Sequence, residues 1–439
     1  MAWAAGYVKS GQSVTVTLPQ VTPAEAKTVR LTVVKDGIVR VEATPEDRIP
    51  QKRKSLVIVP QTGVTPYDVE EDSLCVTIAT GCLQVKIDKQ TGRMTYVDRR
   101  SGRVLLHEAS GSKTFRRYVS QQTLLPEGYR PSAPGEVNWG KTTDLNKLSM
   151  DDRQGYSWRL LFDSQADEAF YGLGQHQAED MNYKGKDEEL YQYNTKVSVP
   201  FVMSTNRYGL LWDTYSYGRW GNPKAYLQLG QAFALYDKDG HPGALTGVYT
   251  DKKGKTMARR EDYENAREIP RLPKDIGLDG AHVVYEGSIE APADNSYHFL
   301  LYYAGYVKVY IGGRLVVPER WRTAWNPNSY KFEVKLRKGE KTPVRVEWQP
   351  DGSVSYCGLR VAPPQTDEEK NRLSIWSEMS KEMDYYFIAG QSMDEVISGY
   401  RTLTGKAPVM PRWALGFWQS RERYKTSGET ERTLAEFRR

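Results

Sequence analysis

Cysteine is nearly absent from this 439-residue chain, which carries Cys75, Cys82 and Cys357 and no other. An odd, widely spaced set is neither a disulfide framework nor a zinc pattern. Cys75 and Cys82 are close enough to pair across a hairpin, although buried free thiols are the favoured expectation. Long apolar runs are missing too, and nothing approaches the ~18 residues that a membrane-spanning helix needs. Nor is there a surplus of one charge. The formal net charge is +6, with Lys, Arg, Asp and Glu interleaved, so no basic tract argues for a nucleic-acid partner. The start, Met1 to Gly6, lacks the charged and apolar regions of a signal peptide. That leaves open a cytoplasmic location, or a periplasmic or cell-surface one after removal of a signal.

What is present is a composition of 39% hydrophobic and 26% charged residues, which is globular and allows two to four domains. Aromatic residues make up 11%, with 29 Tyr and 11 Trp. Such side chains stack on the apolar faces of sugar rings while offering hydrogen bonds. All-β cores use them as freely.

From Ser13 to about Asp98 the pattern is strand after strand. Val14, Val16 and Leu18 alternate with threonines. Val29 to Val33 and Ile38 to Val41 flank the turn Lys35-Asp36-Gly37, and Leu83 to Ile87 and Met94 to Val97 flank Asp88 to Gly92. Short strands at regular spacing predict a β-sandwich. Ser110 to Met150 is polar and rich in turn formers. In Tyr171-Gly172-Leu173-Gly174, alternate glycines allow close backbone approach or a tight turn. A nucleotide loop would require a third glycine, Lys-Ser/Thr and a following helix, none of which is there.

Beyond Asn222 a second series of strands is predicted at Ala244–Tyr249, Val283–Ile289, Tyr297–Tyr303, Lys308–Arg314 (turning at Gly312-Gly313), Tyr330–Leu336 and Val344–Trp348. Asp251 to Lys274 is expected to be loops. The chain then returns, with Met383 to Ile388 as a last strand. Ser392 and Glu395 cap a helix that carries Met393, Val396, Ile397, Tyr400 and Leu403 on one face and ends at Gly405. After Pro408 and Pro411, Trp413 to Trp418 has the texture of a strand buried on both faces. Thr426 and Glu429 then open a helix with Leu434 and Phe437 on one side. A buried strand followed by a helix is the first unit of a parallel α/β architecture.

These blocks, in this order, resemble glycoside hydrolase family 31, in particular its α-xylosidase branch. The blocks are Phe170-Tyr171-Gly172-Leu173-Gly174-Gln175-His176, Pro200-Phe201 through Tyr208-Gly209-Leu210-Leu211-Trp212-Asp213, Ser392 to Lys406 and Pro408 to Tyr424. The resemblance implies a mainly β chain: a galactose-mutarotase-like β-sandwich (1–225 plus 366–390), an inserted second β-sandwich (226–365), a linker helix (391–410) and the truncated start of a (β/α)8 barrel (411–439). The inserted part resembles a protective-antigen-type carbohydrate-associated domain. That domain's lectin version binds Ca²⁺ through adjacent aspartates. Here Tyr302-Tyr303-Ala304-Gly305-Tyr306 and Ile311-Gly312-Gly313 stand instead, so no metal site is expected.

The resemblance further implies that a loop of about Gln175 to Pro200 walls a sugar site over the barrel mouth. Substrate contact is expected from Asn182, Tyr183, Gln192, Asn194 and Thr195, although Asn194 stands near where other members have an aspartate. His176 is expected to be structural. At the end of the first barrel strand, Trp418, Glu422 and Tyr424 are expected to face the sugar, with an ion pair from Glu422 to Arg421 or Arg423 as the plain alternative. On the inserted domain, Tyr303, Tyr306, Trp321, Trp325 and Asn326 are candidates for a sugar platform. The family's aspartate nucleophile and acid/base lie on later barrel strands, which the resemblance puts beyond Arg439. No catalytic residue is therefore assigned here, and the chain alone is expected to be inert. The resemblance implies an oligosaccharide partner and no cofactor; the oligomeric state stays open. An α-glucosidase is the near alternative, and a stand-alone carbohydrate-binding protein a further one. A mutarotase or epimerase would need a His/Glu acid–base site that five histidines do not assemble.

Overall fold

The two-residue turn Asp36-Gly37 closes the first long hairpin, with Gly37 at φ 84° and Lys35 opposite Ile38 in the register. The strands it joins are Thr28–Lys35 and Ile38–Thr44. Their alternate residues Val29, Leu31, Val39 and Val41 are almost wholly buried, as period-2 alternation demands of a sheet with one face on a core. The computed structural model describes residues 6–51, 54–119, 154–192, 196–222, 224–261, 276–324, 329–352 and 354–439.

The first sandwich faces an eight-stranded sheet against a ten-stranded one. Strand Met383–Ala389 lies in the middle of the eight-stranded sheet, between Ile38–Thr44 and Tyr208–Trp212, so the returning chain is central to it. The strand ladders within both sheets are antiparallel. One core joins the two, with Tyr96 and Phe387 stacked at 3.9 Å across the interior. Inside it, Glu108 and Lys113 form a fully buried ion pair. The Glu108 carboxylate also accepts from the Tyr385 hydroxyl at 2.6 Å and the Met94 amide at 3.0 Å, and Tyr96 and Tyr385 join their hydroxyls at 2.8 Å.

A second pair of sheets, of four and seven strands, is built from residues between Leu227 and Ala362 and has its own core. Its hairpin turns at Gly312 and Gly313, both with positive φ, the backbone a two-residue hairpin requires. Thr256–Glu261 is a strand paired with Leu245–Thr250, which corrects the loop expected there. Its residues lack periodicity because it is an edge strand with little of it facing the core. The chain departs and returns side by side: strand Gly218–Trp220 pairs with Arg372–Ser380.

Helix Met393–Thr404 lies on the outer face of the eight-stranded sheet, where Val396 and Leu403 are buried among Ile38, Phe201, Leu211 and Ile388. The Ser392 hydroxyl accepts from the Glu395 amide at 3.2 Å, and Gly405 closes the helix. Ile397 is exposed, contrary to its expected place on the apolar side; only the i, i+3, i+7 stripe reaches the sheet.

The strand expected at Trp413 to Trp418 does not form. Arg412–Leu415 is a 3₁₀ turn, and Trp413, Leu415, Phe417 and Trp418 are exposed. A strand buried on both faces needs ladder partners on both sides, and the described residues bring none to it. The rings pack on one another instead, Trp413 against Trp418 and Phe417 against Phe437. Helix Ser427–Phe437 forms with Thr426 as its cap, while Leu434 and Phe437 are exposed. Just past this helix, Arg439 is exposed and pairs with Glu436 at 3.2 Å, a contact local to the helix end. Cys75 and Cys82 are not paired with each other, and no helix among the described residues is long and apolar enough to cross a membrane.

Candidate functional site

The alternate glycines turn out to serve the neighbouring strand. Gly172 and Gly174 have φ of 130° and 101°, and the pairing of Phe170–Gln175 with Val197–Ser204 shifts register between them. A Cβ on Gly174 would lie 2.0 Å from the Val197 carbonyl oxygen, and one on Gly172 2.6 Å from that of Phe201. No side chain fits. Leu173, between them, is held at φ 66° with its side chain wholly buried. This bulge launches the segment from His176 to Gln192.

Side chains, more than ladder bonds, hold that segment. The His176 Nε2–H donates to the Leu173 carbonyl at 2.7 Å, and Nδ1 lies 3.5 Å from Glu188 Oε1. Burial pushes the imidazole below its ordinary pKa, with Glu188 pulling the other way. Glu188 is buried and accepts from the buried ammonium of Lys196 at 2.7 Å. One carboxylate thus ties the start of the segment to the strand that follows it. Asn182 Oδ1 accepts from the amides of Phe170 and Lys184, and Tyr183 is buried in the first core. The Gln192 amide exchanges two hydrogen bonds with the Ser198 backbone. These three expected sugar contacts are therefore engaged in holding the segment. Asn194 and Thr195 lie outside the described residues.

The second sandwich meets this segment through strand Ser329–Leu336. Lys331 Nζ donates to both the carbonyl and a carboxylate oxygen of Asp187 at 2.8 Å. Burial opposes the ammonium form, but the Asp187 and Glu188 carboxylates outweigh it and raise the Lys331 pKa. The Lys331 amide donates to Gln177 O at 3.3 Å, the Glu179 amide to Lys331 O at 3.4 Å, and the Tyr330 hydroxyl to Glu179. Alongside, Glu333 pairs with His298 at 2.9 Å and with Lys186 at 3.5 Å. The hydrogen bond from His298, working against burial, pulls the Glu333 carboxyl down to about 2. Asn182, Lys184, Lys186, His298, Glu333 and Lys370 border a cleft of about 330 Å³ at this junction. Of these six, sequence reasoning had named Asn182 alone. Period-2 alternation does put Lys331 and Glu333 on the face of their strand opposite the buried Tyr330 and Phe332, which was the available signal.

On the second sandwich Tyr303 is in the core, so it cannot belong to a surface platform. Tyr297, Phe299, Leu301 and Tyr303 share its inward parity. Tyr306 and Trp321 do lie at the surface, directly opposite on paired strands with rings 6.3 Å apart, and Asp351 fixes the indole N–H at 2.6 Å. Trp325 and Asn326 lie outside the described residues. Toward the C-terminus, Trp418 and Glu422 are exposed, and Tyr424 lies under the Arg421 guanidinium. Arg421 pairs with Glu429 at 2.7 Å. Arg439 pairs with Glu436 at the helix end. Among the described residues, Asp237, Asp239 and His241 come nearest to metal-ligand spacing, but the Asp237 carboxylate accepts from the Asp239 and His241 amides and so closes their turn.

Residues 28–220 match the Glycosyl hydrolase 31 N-terminal galactose mutarotase-like domain. The chain is thus similar to glycoside hydrolase family 31, and in particular to its α-xylosidase branch. It is similar to the crystal structure of an α-xylosidase from Xanthomonas citri, with 36% identity, a TM-score of 0.75, and coverage of 98% of this chain and 44% of that one. It is 54% identical over 69 residues to an α-xylosidase of Saccharolobus solfataricus, 16% of this chain and 9% of the relative. An uncharacterised family 31 glucosidase of Pseudescherichia vulneris is 26% identical over 171 residues, 37% and 28% of the two chains. The chain therefore spans less than half the length of these relatives.

Proposed function

We propose that the chain is the N-terminal part of a retaining α-xylosidase acting on xyloglucan-type oligosaccharides. The observation that carries this is the 36% identity to the Xanthomonas citri α-xylosidase, sustained over 98% of this chain. Retaining hydrolysis needs a carboxylate nucleophile and a carboxyl acid/base about 5–5.5 Å apart across the scissile bond. In a parallel barrel such groups sit at the C-terminal ends of the strands, whereas the sheets described here are antiparallel sandwiches. The chain's own share is then sugar binding: the His176 to Gln192 segment as one wall, the Tyr306 and Trp321 rings as a surface contact, and Trp418, Glu422 and Tyr424 where the barrel would begin. The chain by itself is inert in this account.

The test sets this chain beside a form that also carries a complete barrel, with p-nitrophenyl α-xyloside, the matching α-glucoside and a xyloglucan heptasaccharide. The expected result is xylose release by the longer form, with the xyloside preferred, and no turnover by this chain. Turnover by this chain alone would refute its inertness. A preference for the glucoside would favour an α-glucosidase, which the glucosidase likeness supports.

A further inference from the structure

We infer that Lys331, on the second sandwich, is the positioning residue of the His176 to Gln192 segment. The inference rests on the proposed function in giving that segment a part in sugar binding, but its structural half stands alone.

The segment has a short ladder of its own, Glu188–Leu190 against Gly218–Trp220, and an internal Lys186–Asp180 pair, and the second sandwich adds a tie to both of its limbs. Lys331 touches both of its limbs. On the outgoing limb its backbone adds a short parallel bridge at Ala178 to the edge of the four-stranded sheet. On the returning limb its ammonium spends two of its three N–H donors on Asp187. The next residue, Glu188, holds Lys196, from which strand Val197–Ser204 departs. Lys331 therefore ties both limbs to one residue of the second sandwich, beside the Tyr330–Glu179 and Glu333–Lys186 contacts, and Glu188 passes that tie to the first sandwich. The Lys331 side chain is 14% exposed and that of Asp187 16%. At such burial a charge-assisted pair is screened little by water, and removing one partner leaves the other's charge stranded. The chemistry is directional as well: the bond to the Asp187 carbonyl orients the peptide, which an apolar side chain cannot do. Sugar affinity at the segment is thus governed from the inserted sandwich, through a residue that itself touches no sugar.

The experiment measures amide hydrogen exchange of residues 187–192 and heptasaccharide affinity in this chain, in Lys331→Met, in Lys331→Arg and in Asp187→Asn. Lys335→Met, an exposed lysine on the same strand, is the control. Lys331→Met and Asp187→Asn are expected to speed exchange at 187–192 by about tenfold or more, while the Leu83 to Asp98 hairpin of the first core keeps its rate. Lys331→Arg keeps the charge and should recover part of the protection. Should Lys331→Met fail to fold, Asp187→Asn removes the carboxylate's charge from the other side of the contact while the backbone bond stays. Unchanged exchange in both variants would overturn the inference. Faster exchange with unchanged affinity would leave the clamp standing and remove the segment from the sugar site, which is a failure of the proposed function alone.

Discussion

The two sandwiches place their charged chemistry in opposite positions. The first buries an ion pair, Glu108 with Lys113, in its middle and surrounds it with the Tyr96 and Tyr385 hydroxyls. The core of the second is apolar and aromatic, with Phe299 stacked between Phe233 and Phe332. Its polar demands are met by short local bonds, such as the Trp348 indole on the Ala304 carbonyl. Its ionic groups lie on the outer face, where Lys331, Glu333 and His298 meet the first sandwich. A buried pair stabilises little in net terms, because desolvation consumes the attraction, but it penalises any arrangement that separates the two charges. An apolar core tolerates repacking and an external charged face does not tolerate a different partner. The first sandwich is specified from within, and the second by what it docks against.

The largest expected effect comes from breaking the internal pair. Lys113→Met removes the cation and leaves Glu108, which is fully buried, with hydroxyl and amide partners alone. The expected cost is about 3–5 kcal/mol, read as a lowered urea midpoint for the first sandwich. Burial already depresses the Lys113 pKa, with Glu108 as the main opposing influence. A loss below about 1 kcal/mol would mean that Glu108 takes up a proton in its partner's absence and that the interior pair specifies nothing.

A smaller effect is expected from acid, and it falls on the other kind of chemistry. The Glu333 carboxyl is held at about 2 in the folded chain, below its ordinary value near 4.3. The folded state then binds fewer protons than the unfolded one. The contribution of the His298–Glu333–Lys186 contact is complete above pH ~4.3 and is lost as pH falls from there toward 2. Exchange at residues 187–192, corrected for its intrinsic pH dependence, is expected to rise about three- to tenfold over that window. Glu333→Gln should abolish the step. An identical step in Glu333→Gln would assign it to another carboxyl.

These contrasts were unevenly legible in the sequence. Hairpin turns at Asp36-Gly37 and Gly312-Gly313 and the caps at Ser392 and Thr426 are local chemistry, and the sequence carries them in full. The strand parity that buries Tyr303 is local too, and following it from Tyr297 would have removed Tyr303 from the platform. Trp413 to Trp418 misled because an apolar run records what a segment would bury, whereas a strand exists only when partners supply its ladder. The junction was illegible for a different reason. Lys331 and Asp187 are 144 residues apart, and nothing in either neighbourhood names the other. Asn182, Tyr183 and Gln192 were expected as sugar contacts on their polar or aromatic character, but that character does not say whether the partner is a sugar or the chain itself, and here Asn182 and Gln192 bond backbone while Tyr183 packs in the first core.

The smallest expected effect concerns the helix that covers the outer face of the first sandwich. Helix Met393–Thr404 is 12 residues long, too short to persist in water on propensity alone, so its cap and its packing share the work. Val396 and Leu403 each contribute about 1.5–3 kcal/mol by burial, and Tyr400 stacks on Phe201 at 4.3 Å. The cap adds the Ser392 hydroxyl on the Glu395 amide and the Glu395 carboxylate on the Gln391 amide. Ser392→Ala is expected to cost about 1 kcal/mol in urea unfolding, and Ser392→Asp to restore it by accepting the same bond beside the helix's positive end. If Ser392→Ala is neutral, the helix is held by its contacts with the sheet, and this outer face is apolar docking with no polar specification. The comparison would then sharpen: external charge would instruct the second sandwich, and the first would take its specification from its interior alone.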